Sequence, residues 1–240
     1  MKNHITKFLL LGVLIHFIRN CPSLLRNSNL LCPVAKRFYS AADDEIWLTI
    51  DDGPSPLDTL QILDLLRQYH ARASFFVTGE NAEKHPRLIR AILAEGHEIG
   101  NHTHSHPAWT FWMAQPRRAA REIARCDHAL AVAGATFKKA PYFRAPAGLV
   151  SRGLARVLRN EQRPLIGWSA SGWDGVRNFN PKKALHDLQK NLKAGSILLL
   201  HQGEPKGREV FIENVLRCIQ AKQLRCIIPN EENLIFDGKG

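Results

Sequence analysis

The chain has 240 residues, 45% hydrophobic and 23% charged, which is ordinary for a globular protein and long enough for one domain of barrel size with a full core. The formal net charge of +11 is not ordinary, but six of the 33 basic residues and none of the 22 acidic ones fall in residues 1–42, so the body beyond is only mildly basic. No basic run is interleaved with aromatics, which argues against a nucleic-acid partner and for an anionic membrane surface.

The first feature in chain order is "FLLLGVLIHFI", residues 8–18, between Lys7 and Arg19. A spanning helix needs about 20 apolar residues, so this run suits a signal-peptide core or an interfacial anchor. An acid-free, Arg-containing leader also allows a transit peptide. Leu24, Leu25, Leu30 and Leu31 add a second, interrupted apolar patch, and "SAA" at 40–42 resembles a cleavage site far downstream of the run. Residues 1–42 are therefore read as a membrane anchor or signal and residues 43–240 as the functional domain. The expected location is membrane-associated or exported, and a chain starting near Asp43 is expected to be soluble and active. Five cysteines with no CxxC spacing make no disulfide framework, and Cys126, Cys218 and Cys226 read as small core residues.

From Ile46 the chain alternates. "IWLTI", "ASFFV", "HEIG", "YFR", "PLIGW", "SILLL" and "LRCII" are short β-favouring runs. "LDTLQILDLLRQY", "PRLIRAILAEG" and "PKKALHDLQKNLKAG" repeat apolar residues at helical spacing, the last two closing on Gly96 and Gly195. Seven strands alternating with helices predict an α/β fold whose parallel sheet closes into a barrel.

Every polar cluster follows a strand: "DDGPSP" the first, "GNHTHSHP" the third, "RAPAG" the fourth, "SGWDG" the fifth, and His201 the sixth. Barrel enzymes gather their chemistry at those strand ends. Two histidines four apart can bind one ion from a helical turn, and two separated by one residue can do so from a strand. Asp51 and Asp52 are adjacent, so one carboxylate can ligate a metal while the other stays free as a base. A metal held by one Asp and two His leaves room for water and substrate, and it lowers the pKa of water from about 15.7 toward 7. Arg144 can pair with the free aspartate, and His201 can protonate a leaving amine. These parts amount to metal-assisted hydrolysis of an amide or ester.

"LTIDDGPSP", "ASFFVTGENAEKHPRLIRAILAEGHEIGNHTHSHP", "FRAPAG", "WSASGWDG" and "ILLLHQG" resemble the five ordered motifs of the polysaccharide deacetylase family, the NodB-homology group also called carbohydrate esterase family 4. The resemblance runs from about residue 46 to 203. It implies a distorted (β/α)7 TIM-like barrel that removes N-acetyl groups from amino sugars with one divalent metal ion, usually zinc. It implies Asp51 as base, Asp52, His102 and His106 as metal ligands, and Arg144 holding Asp51. The backbone N–H of Ala147 would help stabilise the oxyanion, Leu199 would line the acetyl pocket, and His201 would be the acid, held by Asp174.

The fourth motif departs from the usual Asp-x-x-Asp-Trp, with Ser171 and Gly175 at its ends. Ala147 stands where a larger aromatic is common, and Gln202 where Asp is frequent. A small N-acylated sugar or a lipid-linked glycan is thus as open as a long polymer. His104 lies between better-spaced ligands, His97 reads as a structural hydrogen-bond donor, His85 as a surface helix residue, and Asp58 and Asp64 as parts of a solvated helix. Trp109, Trp112 and Trp173 are open between packing and sugar stacking, with Trp168 nearer packing. Two rivals stand beside the deacetylase. An amidohydrolase-type barrel would use a His-x-His pair, which belongs after the first strand. A glycan-binding relative without catalysis would have lost one of the six chemical residues, and none is missing.

Overall fold

The structure, a computed structural model, describes residues 26–137, 141–176 and 179–237. The apolar run 8–18 lies outside the described residues. Among the described residues no helix is long and apolar enough to cross a membrane.

The molecule is built round β2 (Glu45–Asp51), buried from Ile46 to its end. Two parallel neighbours flank it, β3 (Ala73–Val77) and β6 (Ile197–His201), with Asp51 beside Phe76 on one side and His201 on the other. β4 (Glu98–Asn101) extends the sheet beyond β3, β5 (Ala170–Ser171) extends it beyond β6, and β7 (Arg225–Cys226) pairs with the start of β2. Single bridges from Asn101 to Phe143 and from Phe143 to Leu165 carry the ring from β4 toward β5. The parallel sheet thereby closes into a distorted barrel.

Two of the seven expected strands are reduced to those bridges. "YFR" is framed by Pro141 and Pro146, and "PLIGW" opens on Pro164 and meets Gly167. Proline has no N–H to give a ladder and glycine no side chain to pack, so pairing stays local. The fifth strand proper is β5, so the "SGWDG" motif begins within the strand rather than after it.

Among the described residues seven helices follow in chain order: α1 (Thr59–Gln68), α2 (Gly79–Lys84), α3 (Pro86–Ala94), α4 (Pro116–Ala133), α5 (Arg152–Asn160), α6 (Pro181–Asn191) and α7 (Arg208–Ala221). α3 begins on Pro86 and stops just short of Gly96 at φ 75°, as its sequence predicts. α6 stops four residues before Gly195, because Leu192 turns extended and buries its side chain. Ile46, Leu48 and Ile50 of β2 pack with Ile62 and Leu66 of α1 and with Ile212 and Val215 of α7 in one apolar cluster. Cys126, Cys218 and Cys226 are buried and unpaired, as expected.

The boundary expected at residue 42 falls inside the fold. β1 (Val34–Phe38) pairs antiparallel with β8 (Leu234–Asp237), and Lys36 Nζ lies 3.1 Å from an Asp237 carboxylate oxygen. Val34, Ala35 and Phe38 are buried, so part of the basic segment is core.

Candidate active site

Asp51 ends β2 on the face it shares with Thr49. Their partners across the ladder are His201 and Leu199. Leu198 and Leu200 belong to the outer apolar cluster, so alternation turns Leu199 and His201 toward the barrel interior. Arg144 enters that interior fully buried. Its Nη1 donates to Asp51 Oδ1 at 2.8 Å and to Thr49 Oγ1 at 2.7 Å. Nη2 donates to the Gly167 carbonyl at 2.9 Å and Nε to that of Ile166 at 3.3 Å. The guanidinium stacks 4.2 Å over the Phe76 ring. Four of its five donors are used, which fixes Asp51 Oδ1 and leaves Oδ2 facing the cluster beside it.

That cluster is Asp52, His102 and His106. The chain turns sharply after β2, with Asp52 at φ 72°, so its carboxylate faces the same way as that of Asp51. His102 follows β4 directly. His106 arrives through a turn with Thr103 at φ 66° and itself at φ 47°, so the pair converges from neither a helix nor a strand. Asn101 Oδ1 accepts from the Thr103 N–H, and Thr103 Oγ1 accepts from the His106 N–H. His102 Nε2 and His106 Nε2 lie 3.5 and 3.4 Å from Asp52 Oδ1.

Burial pushes the Asp52 carboxyl up, but the His102 imidazole beside it and the charges of His102, His106 and His201 outweigh that and hold it below the usual range. Burial opposes charge on His102, yet Asp51 and Asp52 raise it on balance. For His106 burial wins, helped by the charge of His102, and drives it down to about 4. The site thus draws positive charge to its centre while keeping one imidazole neutral.

A divalent cation fits this group. Its three donor atoms lie within 4.8 Å of one another, and Asp52 Oδ1 is buried without a hydrogen-bond partner. His102 Nδ1 sits 2.8 Å from the Arg144 carbonyl, which fixes the tautomer whose free Nε2 lone pair faces Asp52. His104 is not part of the group. It is buried against Gly79, with Nε2 3.9 Å from Glu83.

His201 stands opposite. Asp174 holds its ring Nδ1 at 2.9 Å and accepts its backbone N–H at 2.7 Å. Burial lowers the His201 pKa, but the hydrogen bond and charge of Asp174, then Asp51 and Asp52, raise it above the ordinary value. Gly175 follows Asp174, and a Cβ there would lie 2.6 Å from the His201 ring. In this backbone the imidazole takes the space that a side chain at 175 would need. Ala147 sits at φ 53° in the turn 146–148, three residues after Arg144.

Several groups went unread in the sequence. Arg208 opens α7, donates to the Asp174 carbonyl, and lies 3.7 Å from its carboxylate. Asp58 is not solvated. It stands buried just before α1 without capping it, and its Oδ2 instead accepts the Gly203 N–H at 2.7 Å, which holds the loop after His201. Gln202 accepts from Thr59 Oγ1 at 2.6 Å, with its amide against Gly53. Asp64 is on the surface, as read. His97 accepts the Ala73 N–H at 3.3 Å, so its structural role is that of acceptor, and burial drives it down to about 4. His85 joins α2 to α3.

Residues 39–163 match the family model described as Polysaccharide deacetylase. A chitooligosaccharide deacetylase of Rhizobium leguminosarum bv. phaseoli is 33% identical, over 83% of this chain and 87% of its own. A peptidoglycan-N-acetylglucosamine deacetylase of Bacillus cereus is 34% identical, over 66% of this chain and 72% of its own. The structure of a family 4 carbohydrate esterase from Streptomyces lividans in complex with acetate superposes with a TM-score of 0.69 at 28% identity, covering 79% of this chain and 94% of that one. With the motif residues gathered at one end of the barrel and the match spanning most of the chain, the protein belongs to the polysaccharide deacetylase family.

Proposed function

We propose that the chain is a hydrolase that removes N-acetyl groups from amino sugars of a glycan. One observation carries the reading. Two adjacent carboxylates divide their roles by geometry: Asp51 is locked by Arg144, while Asp52 is gathered with His102 and His106. Held by those three residues, a divalent ion, zinc by its donor set, supplies a Lewis acid that polarises the acetamide carbonyl and acidifies water. Water attacks the carbonyl carbon and gives its proton to Asp51 Oδ2. His201, protonated and held by Asp174, hands a proton to the nitrogen as the C–N bond breaks, leaving acetate and a free amine. The Ala147 N–H supports the oxyanion, and Leu199 lines the wall met by the acetyl methyl. The relatives are named for chitooligosaccharide and for peptidoglycan N-acetylglucosamine, so the shared unit, N-acetylglucosamine, is the substrate class proposed.

The rivals lack support. His104 does not converge with His102, so no His-x-His pair forms, and all six residues a catalyst needs are present. The acid-free apolar segment at the start of the chain supports attachment at an anionic membrane surface, at the cell envelope.

The test is acetate release from a panel of chitooligosaccharides and peptidoglycan fragments, with metal content measured alongside. Wild type should release acetate, and His102→Ala should lose both metal and activity. No release from any member of the panel would overturn the deacetylase reading, and a full metal complement in His102→Ala would overturn the ligand set.

A further inference from the structure

Away from the active site, α5 carries three exposed arginines, Arg152, Arg156 and Arg159, on the stripe opposite its buried Leu154 and Leu158. The helix holds no acid to answer them. α4 packs alongside, joined where Ser151 Oγ, just before α5, donates to the Ala114 carbonyl at 2.8 Å. It adds Arg117 and Arg121, both exposed and one turn apart. The two acids of α4 are engaged elsewhere. Glu122 accepts the N–H groups of His104 and Ser105, and Asp127 pairs with the buried Arg163 at 2.6 Å. Among the described residues none of the five arginines has a carboxylate within ion-pair distance. Like charges three and four apart on one helix repel, so the array weakens the folded chain until a negative partner meets it.

All five are arginine rather than lysine, and a guanidinium forks onto a phosphate through two parallel N–H donors. Apolar side chains stand beside them. Leu31 lines one depression with Arg152, Arg156 and Arg159. A groove of about 690 Å³ shares Leu31 and Arg159 with it and is lined further by Leu30, Leu158, Phe236 and Glu231. Leu30 is 63% exposed and Phe236 39%. The apolar run 8–18 ends eight residues before Arg26, where the described chain begins, and residues 29–33 then line the groove. Phosphate-binding arginines beside exposed leucine and phenylalanine match the headgroup region of a bilayer, whereas a nucleic acid would answer the charge alone.

We infer that the outer faces of α4 and α5, with Leu30 and Phe236 beside them, dock the folded body on a membrane of anionic phospholipid. The arginines meet headgroup phosphates and the two apolar side chains reach the layer beneath. This rests on the attachment proposed above for the start of the chain and adds a second contact made by the fold itself. One short apolar element holds a bilayer only marginally, and a polybasic patch beside it makes the hold stable.

Cosedimentation of the full chain with vesicles tests it, using phosphatidylcholine alone and an equal mixture with phosphatidylglycerol. The triple variant Arg152→Gln, Arg156→Gln, Arg159→Gln should bind the mixed vesicles about 100-fold more weakly, at about fivefold for each arginine. Its melting midpoint should be no lower than that of wild type, since repulsion has been removed. Lys182→Gln, Lys183→Gln and Lys190→Gln together take the same charge from exposed positions on α6 and should leave binding unchanged. Leu30→Ser alters no charge and should also weaken binding, which keeps the test decisive if the arginine variant fails to fold. Unchanged binding in the arginine and Leu30 variants, or an equal loss in the α6 variant, would overturn the face and leave the first residues as the contact. Leu10→Asp with Leu14→Asp disturbs the apolar run instead. Full binding there, with loss in the arginine variant, would defeat the anchor and support the face. A DNA duplex held through the same arginines, with no hold on vesicles, would overturn the lipid in favour of nucleic acid. A dimer in lipid-free buffer that the arginine variant dissolves would overturn it in favour of a second copy.

Discussion

Asp174 spends both carboxylate oxygens on one residue, the ring and the backbone N–H of His201. The first fixes which nitrogen carries the outgoing proton, and the second fixes where the ring stands. His201 must be protonated to serve as acid, so its raised pKa extends activity upward in pH. Asp174→Asn keeps the shape and removes the carboxylate whose hydrogen bond and charge do most of the raising. The alkaline limb of kcat against pH should therefore move to lower pH, while His201→Ala should cost about 10²–10⁴-fold in rate. An alkaline limb unmoved in Asp174→Asn would detach Asp174 from this role. At this scale the motif residues were legible, because their types and spacings state the chemistry. Arg208 and Asp58 were not, because an arginine opening a helix and an aspartate before one look alike whether they face solvent or a loop.

The strands differ in how far their sequences announce them. "IWLTI" and "ASFFV" are buried on both faces and read as near-continuous apolar runs, broken only by Thr49 and Ser74. "VAKRF" sets the half-buried Lys36 and Arg37 side by side between Ala35 and Phe38, so it has no strand periodicity, and its charges hid it in the basic segment. Its pairing with β8 reverses the expectation for a chain starting at Asp43. Such a chain leaves β8 an unpaired edge, and it forfeits ~1.5–3 kcal/mol for each large apolar side chain no longer buried, Val34 and Phe38 among them. Thermal unfolding followed by light scattering should show it melting earlier and aggregating, while a chain starting at residue 26 keeps the full midpoint. Equal midpoints would show that β1 adds nothing.

For the whole molecule the barrel was legible because five polar clusters fell at strand ends in order. Its closure was not, because single bridges between proline-flanked segments leave no periodic signature. The proposed attachment through the first residues predicts that full-length protein partitions with anionic vesicles and that removal of residues 1–25 frees it. Intact full-length protein in the soluble fraction would refute the anchor. Arg144 adds a consequence of a different kind. It ties β2 to the carbonyls of Ile166 and Gly167, across the part of the ring where ladder bonds are sparse, with the same guanidinium that orients Asp51. Losing Asp51 would strand that charge in the interior, a change that commonly costs 3–5 kcal/mol. The base is therefore also a counter-ion: a variant that removes Asp51 alone should lose stability together with turnover, whereas one that removes Arg144 with it no longer leaves an uncompensated charge inside.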